Sequence, residues 1–150
     1  MPRQAGSCRS CRTLGSMATP GALHHVEVYV ASLQESCAFW EPFLAHFGYE
    51  VERFSNGVSM ILGETYIVLV QAEEPHLSLG FHRKRVGLNH LAFHAQSREQ
   101  VDQIAEWVQS NGYTLLYKER HPHAGGPNYY AMFCEDPNRI KVEVVAPYGT

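Results

Sequence analysis

From Leu23 onward the apolar and polar positions follow two periodicities, and the order in which they do so occurs twice. His25-Val-Glu-Val-Tyr-Val alternates with a period of two, as a half-buried strand does, and runs into Ala31-Ser32. Sixty-five residues further on, His90-Leu-Ala-Phe-His-Ala-Gln-Ser97 repeats the pattern. Each serine is followed three residues later by Glu35 or Gln100, the arrangement of a capping box at a helix N-terminus. Behind the caps, Leu33, Cys37, Trp40, Leu44 and Phe47, and then Val101, Ile104, Ala105 and Val108, recur at helical spacing. Gly48 and Gly112 suit left-handed C-caps, and Pro42 inside the first pattern predicts a kinked or shortened helix.

Three strand-like runs follow each helix. They lie near Glu50–Phe54, Val58–Leu62 and Tyr66–Gln71 in the first half, and near Thr114–Glu119, Tyr129–Cys134 and Ile140–Val145 in the second. Each half therefore reads β-α-β-β-β. One such unit is too small to cover its own sheet, so the two must pair in an α+β fold. The expected layout is module one at 22–72, a linker at 73–86 and module two at 87–147, all in one domain. Residues 1–21 read as a flexible extension. Their first sixteen positions carry Arg3, Arg9 and Arg12 with no acid and no apolar core, and Met17 is a more natural opening.

Alternation also sorts side chains by face. Val26, Val28 and Val30 share one face of the first strand, and His25, Glu27 and Tyr29 the other. Leu91, Phe93 and Ala95 oppose His90, Ala92 and His94. In the last strand Ile140, Val142 and Val144 oppose Lys141 and Glu143. The apolar faces should meet the helices, leaving His25, His90 and Glu143 on the far side of the sheet. A carboxylate there is costly unless paired or metal-bound. Two imidazoles and a carboxylate suit a divalent Mn, Fe, Ni, Zn or Co ion with open positions. Nine histidines in 150 residues point the same way.

A formal charge of −3 gives no broad cationic surface for nucleic acid, and no apolar run is long enough to span a bilayer. Cys8 and Cys11 form a lone C-x-x-C with no second pair. Cys37 on a helical stripe and Cys134 in an apolar strand read as buried thiols. Four cysteines without a disulfide framework suit a reducing cytoplasm.

The pattern resembles the vicinal oxygen chelate superfamily, which includes glyoxalases, fosfomycin-resistance proteins, extradiol dioxygenases and bleomycin-resistance proteins. The resemblance rests on His25-Val with its Ser-capped helix, Gly87-Leu-Asn-His-Leu-Ala-Phe93, and Asp136-Pro-Asn-Arg-Ile-Lys-Val-Glu143. It covers about Leu23 to Pro147. It implies two βαβββ modules forming a U-shaped mixed sheet around a metal cavity, helices outside, often in a dimer that shares or exchanges modules. It puts metal ligands at His25, His90 and Glu143. The position of a fourth ligand in some relatives aligns with Leu69, with Gln71 a poor substitute, so a three-ligand site is implied.

Around that triad, Glu27 is placed to be a general base or a salt-bridged surface acid, and His94 an acid–base group or a satisfied sheet histidine. His24 points to the opposite face. The segment Arg120-His-Pro-His-Ala-Gly-Gly-Pro-Asn-Tyr-Tyr130 combines flexibility with proton-active groups. A similar segment in a related branch supports a pocket wall, with His121, His123, Tyr129, Tyr130 and Tyr29 as substrate-binding candidates; a rigid loop is the alternative. His76, His82, Arg83, Lys84 and Arg85 read as a solvated linker.

The first functional reading is a metal-dependent lyase, isomerase or thiol transferase of the glyoxalase or fosfomycin-resistance kind, acting on a small oxygenated substrate. Lys118, Arg120, Arg139 and Lys141 could serve a phosphonate. The alternatives are an Fe(II) extradiol-type dioxygenase and a metal-free drug-binding protein of the bleomycin-resistance kind. Exposed sheet edges predict a homodimer.

Overall fold

Two four-stranded sheets, each backed by one helix, carry the chain; the computed structural model describes residues 19–149. The first half contributes β1 (His25–Val30), α1 (Leu33–Ala45), β2 (Glu50–Phe54), β3 (Gly57–Leu62) and β4 (Thr65–Gln71). The second contributes β5 (His90–His94), α2 (Arg98–Ser110), β6 (Leu115–Leu116), β7 (Ala131–Glu135) and β8 (Lys141–Val145). Strand orders are β1-β4-β3-β2 and β5-β8-β7-β6, with the first and last strand of each half paired in parallel. This is the α+β duplication expected, with the halves as two separate hydrogen-bonded sheets. Most of the 1–21 extension, with Cys8 and Cys11, lies outside the described residues.

Both helices begin as expected: Ser32 Oγ accepts from Glu35 N–H at 3.2 Å and Ser97 Oγ from Gln100 N–H at 3.3 Å. The Gln100 side chain does not return to its own cap. It accepts from Gln96 N–H and donates to the His46 carbonyl at the end of α1. Gly48 and Gly112 take positive φ, 83° and 77°, just past the helix ends.

Pro42 neither ends nor shortens α1, which runs 13 residues through it. Proline leaves the carbonyl four residues earlier without its helical donor. That carbonyl belongs to Ala38, and the Tyr113 hydroxyl donates to it at 3.2 Å. Two other expectations shift. The strand anticipated at Thr114–Glu119 shrinks to Leu115–Leu116, because Tyr117 turns left-handed (φ 55°) into a 3-10 turn at Lys118–Arg120. The linker holds a 3-10 segment at Glu74–Leu79, and Arg83, expected in solvent, is half-buried in an ion pair with Glu135.

Val28, Val30, Leu69 and Met60 share one buried strand face and Val142, Val144, Met132 and Cys134 another, with β3 and β4 packed on α1 and β7 and β8 on α2. One apolar cluster joins the halves, through Phe39, Phe43, Phe93, Trp107 and Tyr113. No helix among the described residues is long and apolar enough to cross a membrane.

Cys37 and Cys134 are free thiols, half-buried and buried. Burial first, then the Glu41 carboxylate, pushes Cys37 up to about 11, and burial pushes Cys134 higher still. The thiolate is the reactive form, so raised values mean little of it at pH 8. Iodoacetamide should therefore label both slowly in the native protein and rapidly in denaturant, read peptide by peptide by mass spectrometry.

Candidate functional site

The pairing of β5 with β8 sets His90 against Lys141 and Ala92 against Glu143, so all four side chains project from the sheet face opposite α2. Glu143 is 4% exposed there, and both of its oxygens are engaged. Oε2 lies 2.9 Å from His90 Nε2, and Oε1 accepts from the Tyr129 hydroxyl at 2.5 Å.

The other side of the His90 ring decides what that contact means. Asn89 Oδ1 is 2.7 Å from His90 Nδ1, and Asn89 Nδ2 donates to the Arg83 carbonyl at 3.4 Å. With its amide so oriented, Asn89 can only accept, so His90 Nδ1 carries a proton. Nε2 then presents either a lone pair or a second proton to a carboxylate oxygen. With the second proton the contact is an imidazolium–carboxylate ion pair, and without it two lone pairs 2.9 Å apart repel unless a metal cation joins them. A histidine whose second nitrogen is fixed by a hydrogen bond, beside a carboxylate fixed in the same way, is the usual support of a metal site. The His90 side chain is 34% exposed, which leaves the pair reachable from solvent.

His25 stands apart. It is exposed at the start of β1, its ring stacked on Tyr66 (4.7 Å between centroids, 3° between planes) and its Nδ1 2.9 Å from that of His24. Among the described residues no three His, Cys, Asp or Glu side chains converge as a metal would require. One chain therefore brings together His90 and Glu143 and leaves His25 on the other sheet. Glu27 and Tyr29 share its face and are exposed, and Tyr29 borders a cavity of about 580 Å³ with His76 and Phe81. The register also corrects the fourth-ligand position. Glu27 pairs with Val68 as Ala92 pairs with Glu143, so Val68 is the counterpart of Glu143, and Leu69 faces α1. Gln71 is occupied with Leu33 N–H and the carbonyls of Ala31 and Ala72.

The loop before β7 divides at adjacent tyrosines. Tyr129 reaches Glu143, whereas Tyr130 donates to Asp102 on α2 at 2.8 Å. His121 Nε2 is 3.4 Å from the same Asp102, and the His123 ring lies edge-on to Tyr130. Of the four loop candidates, Tyr129 alone contacts the His90–Glu143 pair. Burial first, then the facing carboxylate, pushes both phenols up to about 12. His94 lies four residues along β5 from His90, about 13 Å at ordinary strand rise, in a groove with Leu23, Tyr66 and Phe47. Of the four cations considered for a phosphonate, Lys141 lies on the Glu143 face, with its Nζ over the Phe133 ring. Arg120 covers Tyr117, and Arg139 lies 3.7 Å from Glu135. Asn89 was not singled out from the sequence, although its place directly before His90 was the available signal.

The family model of the Glyoxalase/Bleomycin resistance protein/Dioxygenase superfamily matches residues 22–144. The uncharacterized protein YqjT of Bacillus subtilis (strain 168) is 55% identical over 126 residues, covering 83% of this chain and 98% of that one. A crystal structure of a candidate glyoxalase from Bacillus halodurans is 56% identical, covers 85% of this chain and 97% of its own, and superposes with a TM-score of 0.83. The fosfomycin resistance protein FosX of Listeria monocytogenes shares the fold at 19% identity, with coverages of 87% and 97% and a TM-score of 0.62.

Proposed function

The chain belongs to the Glyoxalase/Bleomycin resistance protein/Dioxygenase superfamily, and from that premise we propose that it is a metal-dependent lyase or isomerase acting on a small oxygenated substrate. The observation that carries the reading is the His90–Glu143 pair, with Nε2 and Oε2 facing each other at 2.9 Å and the remaining nitrogen and oxygen held by Asn89 and Tyr129. His90 and Glu143 would hold a divalent Mn, Fe, Ni, Zn or Co ion, with His25 of a second copy as the third ligand. Such an ion supplies Lewis acidity to neighbouring substrate oxygens.

The chain's own groups do the rest. Glu27, two residues beyond His25 on the same exposed face, is the group best placed to move a proton at the substrate carbon. Tyr29, four residues from His25 and about 13 Å along the strand, lines a cavity with His76 and Phe81 that holds none of the ligands. Lys141 lies beside Glu143, whereas Arg120 covers Tyr117 and Arg139 faces Glu135, which favours a carbonyl or hydroxyl substrate over thiol transfer to a phosphonate epoxide. The name given to the Bacillus halodurans structure agrees with that preference. The expected assembly is a homodimer, since β1 and β5 are open sheet edges and Leu23 and Tyr29 are 70% and 63% exposed.

Transition-metal content by mass spectrometry of tag-free protein tests the reading. About one ion per chain is expected, lost in His90→Ala and in Glu143→Gln. No metal after anaerobic incubation with Mn, Fe, Co, Ni and Zn would sink it in favour of a metal-free binder.

A further inference from the structure

A carboxylate can bind a metal through one oxygen or both, and the surroundings of Glu143 decide between them. Glu143 is buried, so little water competes for its oxygens. The Tyr129 O–H occupies Oε1 at 2.5 Å, a short bond to a charged acceptor. Oε2 is left facing His90 Nε2.

The position of Tyr129 is itself built. A Cβ on Gly125 would lie 2.5 Å from Cδ1 of the tyrosine ring, so only glycine leaves the ring its seat. Tyr129 N–H donates to the Gly126 carbonyl at 3.1 Å, and the Tyr148 ring lies 6.1 Å away on another side. The next residue, Tyr130, turns to Asp102 on α2. The same loop thus carries two adjacent phenols on carboxylates, one on the candidate metal ligand and one on a helix surface.

We infer that Tyr129 is a positioning residue that commits Glu143 to one-oxygen ligation through Oε2, with Gly125 as its seat; this rests on the metal reading above. Phenylalanine keeps the ring and removes the O–H, freeing Oε1 to turn toward the ion.

Cobalt(II) is the probe, titrated into the full-length apo-protein against a chelator. In Tyr129→Phe the Kd should weaken about 10- to 100-fold, the usual cost of losing an orienting partner. The visible d–d bands should change with the added oxygen, and the apo-protein should stay folded, its melting temperature lowered by several degrees for the lost bond to a buried carboxylate. Gly125→Ala should weaken binding in the same direction, and Tyr130→Phe should match the wild type. An unchanged Kd or an unchanged spectrum in Tyr129→Phe overturns the inference. If the wild type binds no cobalt, the metal reading falls and takes this one with it. If the wild type binds and His90→Ala does not, the metal reading stands and Tyr129→Phe alone decides.

Discussion

Heterodimers of His25→Ala chains with Glu143→Gln chains should hold metal that neither variant holds alone. The reason lies in the separation of the two sheets. His25 opens β1 in the first, whereas His90 and Glu143 meet on β5 and β8 of the second, and one chain does not assemble the three. In a two-fold dimer, each site would take His25 from one copy and the pair from the other. A mixed dimer then has one site with every ligand intact and one with two ligands lost. Isolated by two different tags, it should carry about one ion where the wild-type dimer carries two, and each parent variant about none. Refolded mixtures assayed by metal mass spectrometry give the answer. If mixed dimers form and carry no metal, His25 does not serve across the interface. If His25→Ala alone keeps full metal content, it is not a ligand at all.

That test is needed because of what alternation can and cannot tell. Period-two alternation assigns a face, so the sequence already placed His90 and Glu143 on one side of a sheet and Val142 and Val144 on the other, as observed. It carries no distance between strands that do not pair, so the separation of His25 from the other two could not be read from the chain. Register is equally silent: a shift of one residue put Leu69 where the hydrogen-bonded ladder puts Val68. The helix through Pro42 survives on a hydroxyl from Tyr113, 75 positions away from the carbonyl it satisfies, and no local rule anticipates that. Tyr129 and Tyr130 looked interchangeable as loop tyrosines. The alternation that sends one to Glu143 and the other to Asp102 starts only where the loop meets β7.

Asp136→Ala should be the most damaging single change away from the candidate site. The residue sits in the turn from β7 to β8, 3% exposed, and accepts four hydrogen bonds: from Trp40 Nε1 at 3.0 Å, Asn138 N at 2.8 Å, Ile140 N at 2.8 Å and Asn138 Nδ2 at 3.1 Å. Burial pushes its carboxyl above the ordinary value, and these N–H donors pull part of that back. Asn138 extends the network to the first half, donating to Ser36 Oγ at 2.9 Å and accepting from Ala31 N at 2.8 Å. The turn that launches the Glu143 strand is thus tied to α1 and to the end of β1. Alanine leaves buried donors without an acceptor, at a cost of about 3–4 kcal/mol. For a chain of this size that lowers the melting temperature by roughly 6–16 °C. Asparagine does not rescue it, because its amide end would set a donor against donors. Trp40→Phe should cost less, and the double variant should cost less than the two singles together, since both remove the same contact. Asp102→Ala, which loses exposed contacts to Tyr130 and His121, is the reference, at about 1 kcal/mol or below. Thermal and urea unfolding of the wild type and the five variants measure the series. A melting point for Asp136→Ala no lower than that of Asp102→Ala would mean that the turn is held by packing alone. If the expected loss is found, metal affinity should fall with it, because Glu143 lies in the strand this turn launches.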